Sequence, residues 1–284
     1  MGSRTGDQGD PQKLYRTIAA QTPEPGMVER AKALTRFYYN GIRQIFRNRS
    51  EAKRLTARGR AGEVLTRREI LLIRKSREDI GRVAPFALVA IILPELLIVL
   101  IVLAPGMFPS TCITDAQIIK KHRKAQETRQ SIHDSVVTAA TENSGLTVKN
   151  FLNIQSIIKV ADQYQTDLAV AGLPKEGLRN ICRFVGLGSL GTEGMLRKKV
   201  EQHLIFLQED DKMIRKEGIE SLTLTELQEA CELRGISTHD RQADHLQGLL
   251  RDSIRLNLMM DPRPLPPLLT ITARMFLLNT RLAH

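Results

Sequence analysis

The chain has 284 residues, with 42 Lys and Arg against 31 Asp and Glu, a net charge of +11, three Cys and no Trp. Aromatic residues make up only 4%, so stacking platforms for single-stranded nucleic acid are scarce. Cys112, Cys182 and Cys231 are odd in number, far apart and outside any CxxC or Cys/His spacing, so neither a zinc site nor a disulfide framework is supported.

The charge is uneven. Residues 1–82 carry 19 basic and 9 acidic side chains, whereas residues 109–284 carry 23 and 21. A basic segment therefore precedes a nearly balanced domain. Such a segment attracts anionic lipid head groups, and the same charge can meet nucleic acid.

Residues 1–26 are rich in Gly, Pro and polar side chains and are expected to be disordered. They lack the apolar core of a secretory signal, and Asp7, Asp10 and Glu24 run against a mitochondrial presequence. Residues 27–82 read as a basic amphipathic helical segment. Val28, Ala31, Leu34, Phe37, Ile42 and Ile45 keep helical spacing with basic residues between them. Such a helix either lies on a membrane surface or packs on another helix of the same chain. Thr66 and Glu69 have capping-box spacing and open a second helix.

Residues 83–108 form an apolar run whose one charged residue is Glu95. About 20 apolar residues suffice to cross a hydrocarbon core of roughly 30 Å, so the run predicts a transmembrane helix. Pro94 and Glu95 lie near its middle. Pro94 releases the carbonyl of Ala90 from its helical bond, and a mid-bilayer carboxylate must be protonated, paired or turned to protein or water. The two residues are candidates for an ion or proton path, or for a helix-association contact. One helix cannot wall off a path, so the transport reading requires a homo-oligomer or partner helices.

Pro105, Gly106 and Pro109 end the run. Thr114 and Gln117 have capping-box spacing and open a polar helix to about Thr141. Residues 147–170 are predicted as one helix with Phe151, Ile154, Ile157, Ala161 and Leu168 on its apolar side. Residues 174–260 hold a weak repeat. Ile181-Cys182-x-x-Val185-Gly186-Leu187 is echoed by Ala230-Cys231-x-x-Arg234-Gly235-Ile236. Each copy predicts a helix that ends at Gly, a short extended link and a second helix. Similar units occur in SAP-type nucleic-acid-binding motifs; plain helical-hairpin packing gives the same pattern. Thr223 and Glu226 cap the second copy. A Pro-rich stretch at 261–267 precedes a last apolar helix, Leu268 to Leu278, that should pack back on the domain. With no strand-type alternation of useful length, the predicted class is all-α: a single transmembrane helix plus a multi-helix domain over 112–284.

The sequence has no nucleophile elbow, P-loop, dinucleotide fingerprint or HExxH, so no catalytic residue, cofactor or small-molecule substrate is predicted. His239 and His245 flank Asp240 and Asp244 in a polar link that reads as solvated rather than metal-binding. Asp210-Asp211 is followed by Lys212 and lacks the further acids and Gly of a calcium loop. Arg197, Lys198 and Lys199 form a small basic cluster, either a phosphate contact or a solvated helix face.

Several short stretches together resemble one family. They include Leu65-Thr-Arg-Arg-Glu69, Pro85-Phe86, Phe108-Pro-Ser-Thr111, Asp210-Asp-Lys-Met-Ile214, Ser221-Leu-Thr223, Glu226-Leu-Gln228 and Arg234-Gly235. In order and spacing, over about residues 27–280, they look like the LETM family, leucine-zipper and EF-hand-containing transmembrane proteins of the mitochondrial inner membrane. The resemblance implies a single-pass inner-membrane protein whose domain at 112–284 lies in the matrix and binds mitochondrial ribosomes. It also implies a role in potassium–proton or calcium–proton exchange and in organelle volume. The sequence ends after this domain, without the coiled-coil and EF-hand tail of longer members, and Pro94 and Glu95 adjoin where members separate them. The charge pattern conflicts with the implied topology. The positive-inside rule favours residues 53–82 in the matrix, while Lys120, Lys121, Arg123 and Lys124 form a rival cluster beyond the run.

Overall fold

The computed structural model describes residues 27–92, 115–164, 168–260 and 264–283. Among them the chain is helical and has no strand. The helices are α1 (Met27–Arg60), α2 (Arg67–Ile92), α3 (Asp115–Ser144), α4 (Ile154–Gln163), α5 (Lys175–Phe184), α6 (Glu193–Glu217), α7 (Leu224–Leu233), α8 (Ala243–Asn257) and α9 (Pro267–Leu277).

α1 and α2 form an antiparallel hairpin. Ile45, Ala52 and Leu55 of α1 and Leu71 of α2 are buried. Of the two readings left open by the amphipathic pattern, packing on a neighbouring helix is therefore realised along this part of α1. The Thr66–Glu69 capping box forms: the Thr66 amide donates to Glu69 Oε2 at 2.8 Å, and the Glu69 amide donates to Thr66 Oγ1 at 3.4 Å. Arg58 reaches across the turn to Glu69 at 2.8 Å and to Glu63 at 2.6 Å.

The domain behind the apolar run has three apolar clusters. One gathers Leu178, Ile181 and Phe184 of α5 around Leu196, Val200 and Leu207 of α6. A second joins Phe151, Ile157 and Val160 to Leu269 and Phe276 of α9, with the Phe151 and Phe276 rings stacked at 4.2 Å. A third packs Leu227, Ala230 and Cys231 of α7 against Leu246, Leu249 and Leu250 of α8. Helix α9 returns onto the domain as its apolar composition predicts, with Leu268 to Ile271 and Ala273 to Leu277 buried.

The region 147–170 departs from the expected single helix. A 3-10 turn spans Val148–Phe151, and α4 begins afresh at Ile154. The reason is local competition for backbone amides. Asn150 Oδ1 accepts the Thr147 amide at 2.9 Å, and Asn153 Oδ1 accepts the Ser156 amide at 2.9 Å. Asn150 thus completes the capping box of Thr147, and Asn153 is the N-cap of α4, so each favours a new helical turn over a continuous helix. The Thr114 cap, Cys112 and the start of the Pro-rich stretch, 261–263, lie outside the described residues.

The internal repeat is visible in backbone geometry. Gly186 and Gly235 both have φ +75°. Leu187 N donates to Cys182 O at 2.7 Å and Gly186 N to Arg183 O at 3.3 Å; Ile236 N donates to Cys231 O at 3.0 Å and Gly235 N to Glu232 O at 3.1 Å. These are two copies of the Schellman motif. The copies meet at their helix ends, because the Phe184 ring lies against Gly235.

The apolar run is described only to Ile92, as part of α2. Among the described residues no helix is long and apolar enough to cross a membrane. Pro94, Glu95 and the rest of the run lie outside the described residues. The expectation of a single span nonetheless meets one physical constraint. It places residues before the run and residues after it on opposite sides of a membrane. Yet Arg67, at the start of α2, forms a buried ion pair with Asp210 of α6 at 2.7 Å. Two side chains in such contact lie in one compartment, a condition that a single crossing between them does not meet.

The two glycine caps provide an internal control. A Cβ at Gly186 meets no atom within 4 Å, whereas one at Gly235 overlaps the Phe184 ring. Both bear the left-handed backbone cost, so Gly186→Ala should destabilise by about 1–2 kcal/mol. Gly235→Ala adds overpacking and should lose roughly 1–3 kcal/mol more. Chemical-denaturation midpoints of the two variants check this difference.

Candidate functional site

The most organised polar arrangement lies where α2 meets the domain. Arg67 Nε donates to Asp210 Oδ1 at 2.7 Å and Arg67 Nη2 to Asp210 Oδ2 at 3.3 Å. Arg234, at the C-terminal cap of α7, donates to Asp210 Oδ2 at 2.7 Å and to Asp211 Oδ1 at 3.0 Å through Nε, and also bonds Asp211 through Nη2. Arg234 Nη1 donates to the Ala230 carbonyl at 2.7 Å, and Asn257 donates to Asp211 Oδ2 at 2.5 Å. The four charged side chains are at most 2% exposed. Burial works against ionisation of Asp210, but Arg234 and Arg67 outweigh it and hold its carboxyl below the usual range. Burial likewise opposes the charge on Arg234, and Asp211 and Asp210 outweigh it and strengthen its hold on the proton.

Around this core, exposed contacts extend the junction. Arg68 donates to Glu226 at 2.5 Å and Lys75 to Glu229 at 2.7 Å, both acids lying on α7. The Arg74 guanidinium sits 3.7 Å over the Phe206 ring of α6. Glu226 serves two roles. It accepts the Thr223 amide at 2.9 Å as the N-terminal box of α7, and it receives Arg68. Its pKa falls to about 2, the Arg68 bond being the largest cause.

A second arginine joins the two repeat units. Arg129 of α3 is buried and donates to the carbonyls of Phe184 at 2.8 Å, Glu232 at 3.1 Å and Ile236 at 3.3 Å. Its Nη1 also pairs with Glu232 at 2.9 Å. The bonded carbonyls close α5 and α7, where the helix dipole is negative, so one guanidinium serves both C-termini.

The basic cluster predicted from sequence divides. Arg197 donates to the carbonyls of Val170, Ala171 and Leu173 and to Glu193, so it holds the segment before α5. Lys199 Nζ donates to Gly188 O at 2.9 Å and Leu190 O at 3.0 Å, clasping the link between α5 and α6. Lys198 is exposed. It lies in a stripe of exposed α6 residues, Met195, Lys198, Gln202 and Ile205, at spacings of three and four, which is one helix face. Leu190 on the adjoining link is 86% exposed. The polar link also sorts itself: His239 contacts Asp240 at 3.3 Å, while His245 bonds the Asn279 carbonyl at 3.2 Å. Among the described residues no group of three or more His, Cys, Asp or Glu is arranged to hold a metal ion.

The buried Arg67–Asp210–Arg234–Asp211 network is absent from the sequence-based site. A usable signal existed. Leu204, Leu207 and Ile214 mark the buried face of α6, and Asp210 and Asp211 sit within that stripe, where an acid without a partner is unstable.

Comparison with known proteins now places the chain. It belongs to the LETM1-like, RBD family, whose model matches residues 65–276. The match begins at the capping box of α2, before the apolar run, and ends in α9. The chain is 31% identical over 265 residues to the mitochondrial proton/calcium exchanger protein of Drosophila melanogaster, covering 85% of this chain and 26% of that protein. It is 28% identical over 238 residues to the LETM1 domain-containing protein mdm28, mitochondrial, of Schizosaccharomyces pombe, covering 76% and 50%. It is 28% identical over 247 residues to the LETM1 domain-containing protein YLH47, mitochondrial, of Saccharomyces cerevisiae, covering 80% and 54%. The chain thus spans about a quarter to about half of the length of these relatives. No solved structure matches it.

Two measurements probe the junction. Asp210→Asn leaves Arg67 and Arg234 buried with one carboxylate fewer, and should cost about 3–5 kcal/mol. Hydrogen exchange should show α2 losing protection together with α6 and α7; loss confined to α6 would separate the hairpin from the network. The second concerns His203 of α6, which is 2% exposed and bonds the Leu233 carbonyl through Nε2 at 2.8 Å. Burial lowers its pKa from 6.5 to about 4. The unfolded chain takes up this proton before the folded one, so stability is complete above about pH 6.5 and declines as pH falls toward 4. The loss is on the order of 3 kcal/mol. Thermal melts across this range should show the decline in the wild type and a smaller one in His203→Gln.

Proposed function

We propose that this chain is a mitochondrial inner-membrane protein that attaches through its apolar run and docks mitochondrial ribosomes through its helical domain in the matrix. In doing so it supports cation and volume homeostasis. The mitochondrial assignment rests on the three relatives, each a mitochondrial protein by name. The cation role rests on the Drosophila relative, named a proton/calcium exchanger. Membrane attachment rests on the composition of residues 83–108, which bear one charge. The junction of α2 with α6 and α7 supports a reading in which the hairpin shares the compartment of the domain. The run would then have both flanks on one face rather than a single crossing.

The observation that carries the docking reading is the outer face of α6. Leu190, Met195 and Ile205 are 86%, 54% and 63% exposed, with Lys198 between the last two. An apolar stripe punctuated by a cation, with no structural neighbour among the described residues, is the composition of a protein-docking surface. Its stem is stiff, because Arg197 and Lys199 fix the neighbouring backbone. The alternative, an oligomeric cation/proton antiporter using Pro94 and Glu95, is favoured by the name of the Drosophila relative.

Detergent-solubilised full chain should co-sediment with mitochondrial ribosomes at low salt. Met195→Glu with Ile205→Glu should weaken binding by about tenfold, as for loss of one or two hot-spot side chains. Absence of co-sedimentation at low salt overturns the docking reading. If reconstituted protein also exchanges potassium or calcium for protons, and Glu95→Gln abolishes the flux, the antiporter reading takes its place.

A further inference from the structure

The α1–α2 hairpin contains a feature that the docking surface does not use. A groove of about 650 Å³ opens between the two helices. Arg49, Lys53 and Arg60 of α1 and Arg77 of α2 line it, and no acid does. Its walls are Ala57, Ile73 and Ile80, with Thr56 and Ser76 as neutral polar groups. Four acids of the hairpin pair with other arginines: Glu51 with Arg54, Glu63 and Glu69 with Arg58, and Glu78 with Arg74; a fifth, Asp79, is buried within the hairpin and does not line the groove. Among the described residues the four groove cations make no ion pair with any carboxylate. Four positive charges therefore converge on one open, partly apolar space without neutralisation. All four are exposed to solvent, so the positive field of the groove is open to an anion arriving from outside.

The groove also has a direction. Along α1, Tyr39, Arg43, Phe46, Arg49, Lys53 and Arg60 follow spacings of three, four and seven and so share one face. Tyr39 is 66% and Phe46 62% exposed. The hairpin is antiparallel, and both helices rise about 1.5 Å per residue, so Tyr39 stands roughly level with residues 88–90 of α2. That is the beginning of the apolar run. Exposed aromatics thus sit at the level where the chain turns apolar, and the unpaired cations follow from about one to four turns farther from it. Aromatic rings at the interface with cations just outside is the order in which a bilayer presents its boundary and its phosphates.

We propose that the α1–α2 groove is a binding site for the head group of an anionic phospholipid carrying two phosphodiesters, a diphosphatidylglycerol. Arg49, Lys53, Arg60 and Arg77 contact the phosphates, and the acyl chains leave along Ile80 and Phe46 toward the apolar run. Two phosphodiesters against four cations leave a net positive surround, which suits arginines that each donate several hydrogen bonds to phosphate oxygens. The inference rests on the membrane attachment proposed above. It does not depend on ribosome docking.

Native mass spectrometry of the detergent-purified full chain provides the test. The chain is titrated with diphosphatidylglycerol, with phosphatidylcholine, with inorganic phosphate and with a short duplex RNA. The wild type should retain diphosphatidylglycerol over phosphatidylcholine by at least about tenfold, given the attraction of several cations for an anionic head group. Replacing Arg49, Lys53, Arg60 and Arg77 together with Gln should remove that preference. Replacing Lys120, Lys121, Arg123 and Lys124 with Gln should leave it intact. Ala57→Trp fills the groove without changing charge and should also remove it, at an unchanged melting temperature. Equal retention of the two lipids by the wild type overturns the proposal, as does an unchanged preference in the Gln or Trp variant. Displacement of the lipid by inorganic phosphate or by RNA at equal concentration overturns it too, assigning the groove to a soluble phosphate or to nucleic acid. Membrane attachment is read separately, by carbonate extraction of the full chain, so a failed groove and a failed attachment give different results.

Discussion

Asp210 is the constraint on which the arrangement of this protein turns. It lies fully buried on α6 and satisfies two arginines from different parts of the chain, Arg67 at the start of α2 and Arg234 at the end of α7. Removing a carboxylate from water is unfavourable, and only close, well-directed cations offset the loss. Neither arginine can leave without stranding the charge. A segment 143 positions earlier in the sequence is thereby held to the centre of the domain. Asp211 extends the same logic to α8 through Asn257. The outer contacts of Arg68 and Lys75 add orientation more than energy, since exposed ion pairs contribute little.

Arg129 provides the second organising contact. The two helix–link–helix copies could pack in many ways, because each has its own apolar cluster. One guanidinium that serves the carboxyl ends of α5 and α7 selects a single relation between them. Phe184 against Gly235 then fixes their distance, since no residue with a Cβ fits there. The copies are therefore not interchangeable. Their caps have the same backbone, while their surroundings differ by one aromatic ring.

An apolar run of this length suggests a crossing, and a crossing would separate the basic hairpin from the domain. The buried pairs instead hold the start of α2 against α6 and α7. The cationic groove and the exposed aromatics lie on the hairpin that these pairs anchor. The family match, residues 65–276, takes in α2 and the domain together and starts after α1.

Much of this was legible in the sequence because it depends on residues close together. Helical periodicity, the Thr66–Glu69 and Thr223–Glu226 boxes and the two Gly caps are local effects, as is the apolar character of α9. The break at Asn150 and Asn153 was equally local, but helical spacing on either side concealed it. Arg197, Lys198 and Lys199 read as one basic cluster, yet two of them bond backbone carbonyls and one is exposed. Tertiary structure alone decided that division. It also decided which acids and arginines are buried together, that Arg129 joins two repeats, and that the groove cations have no carboxylate partner among the described residues. The physical reason is that charge–charge contact depends on distance in space, and here the partners are separated by tens to more than a hundred residues of chain.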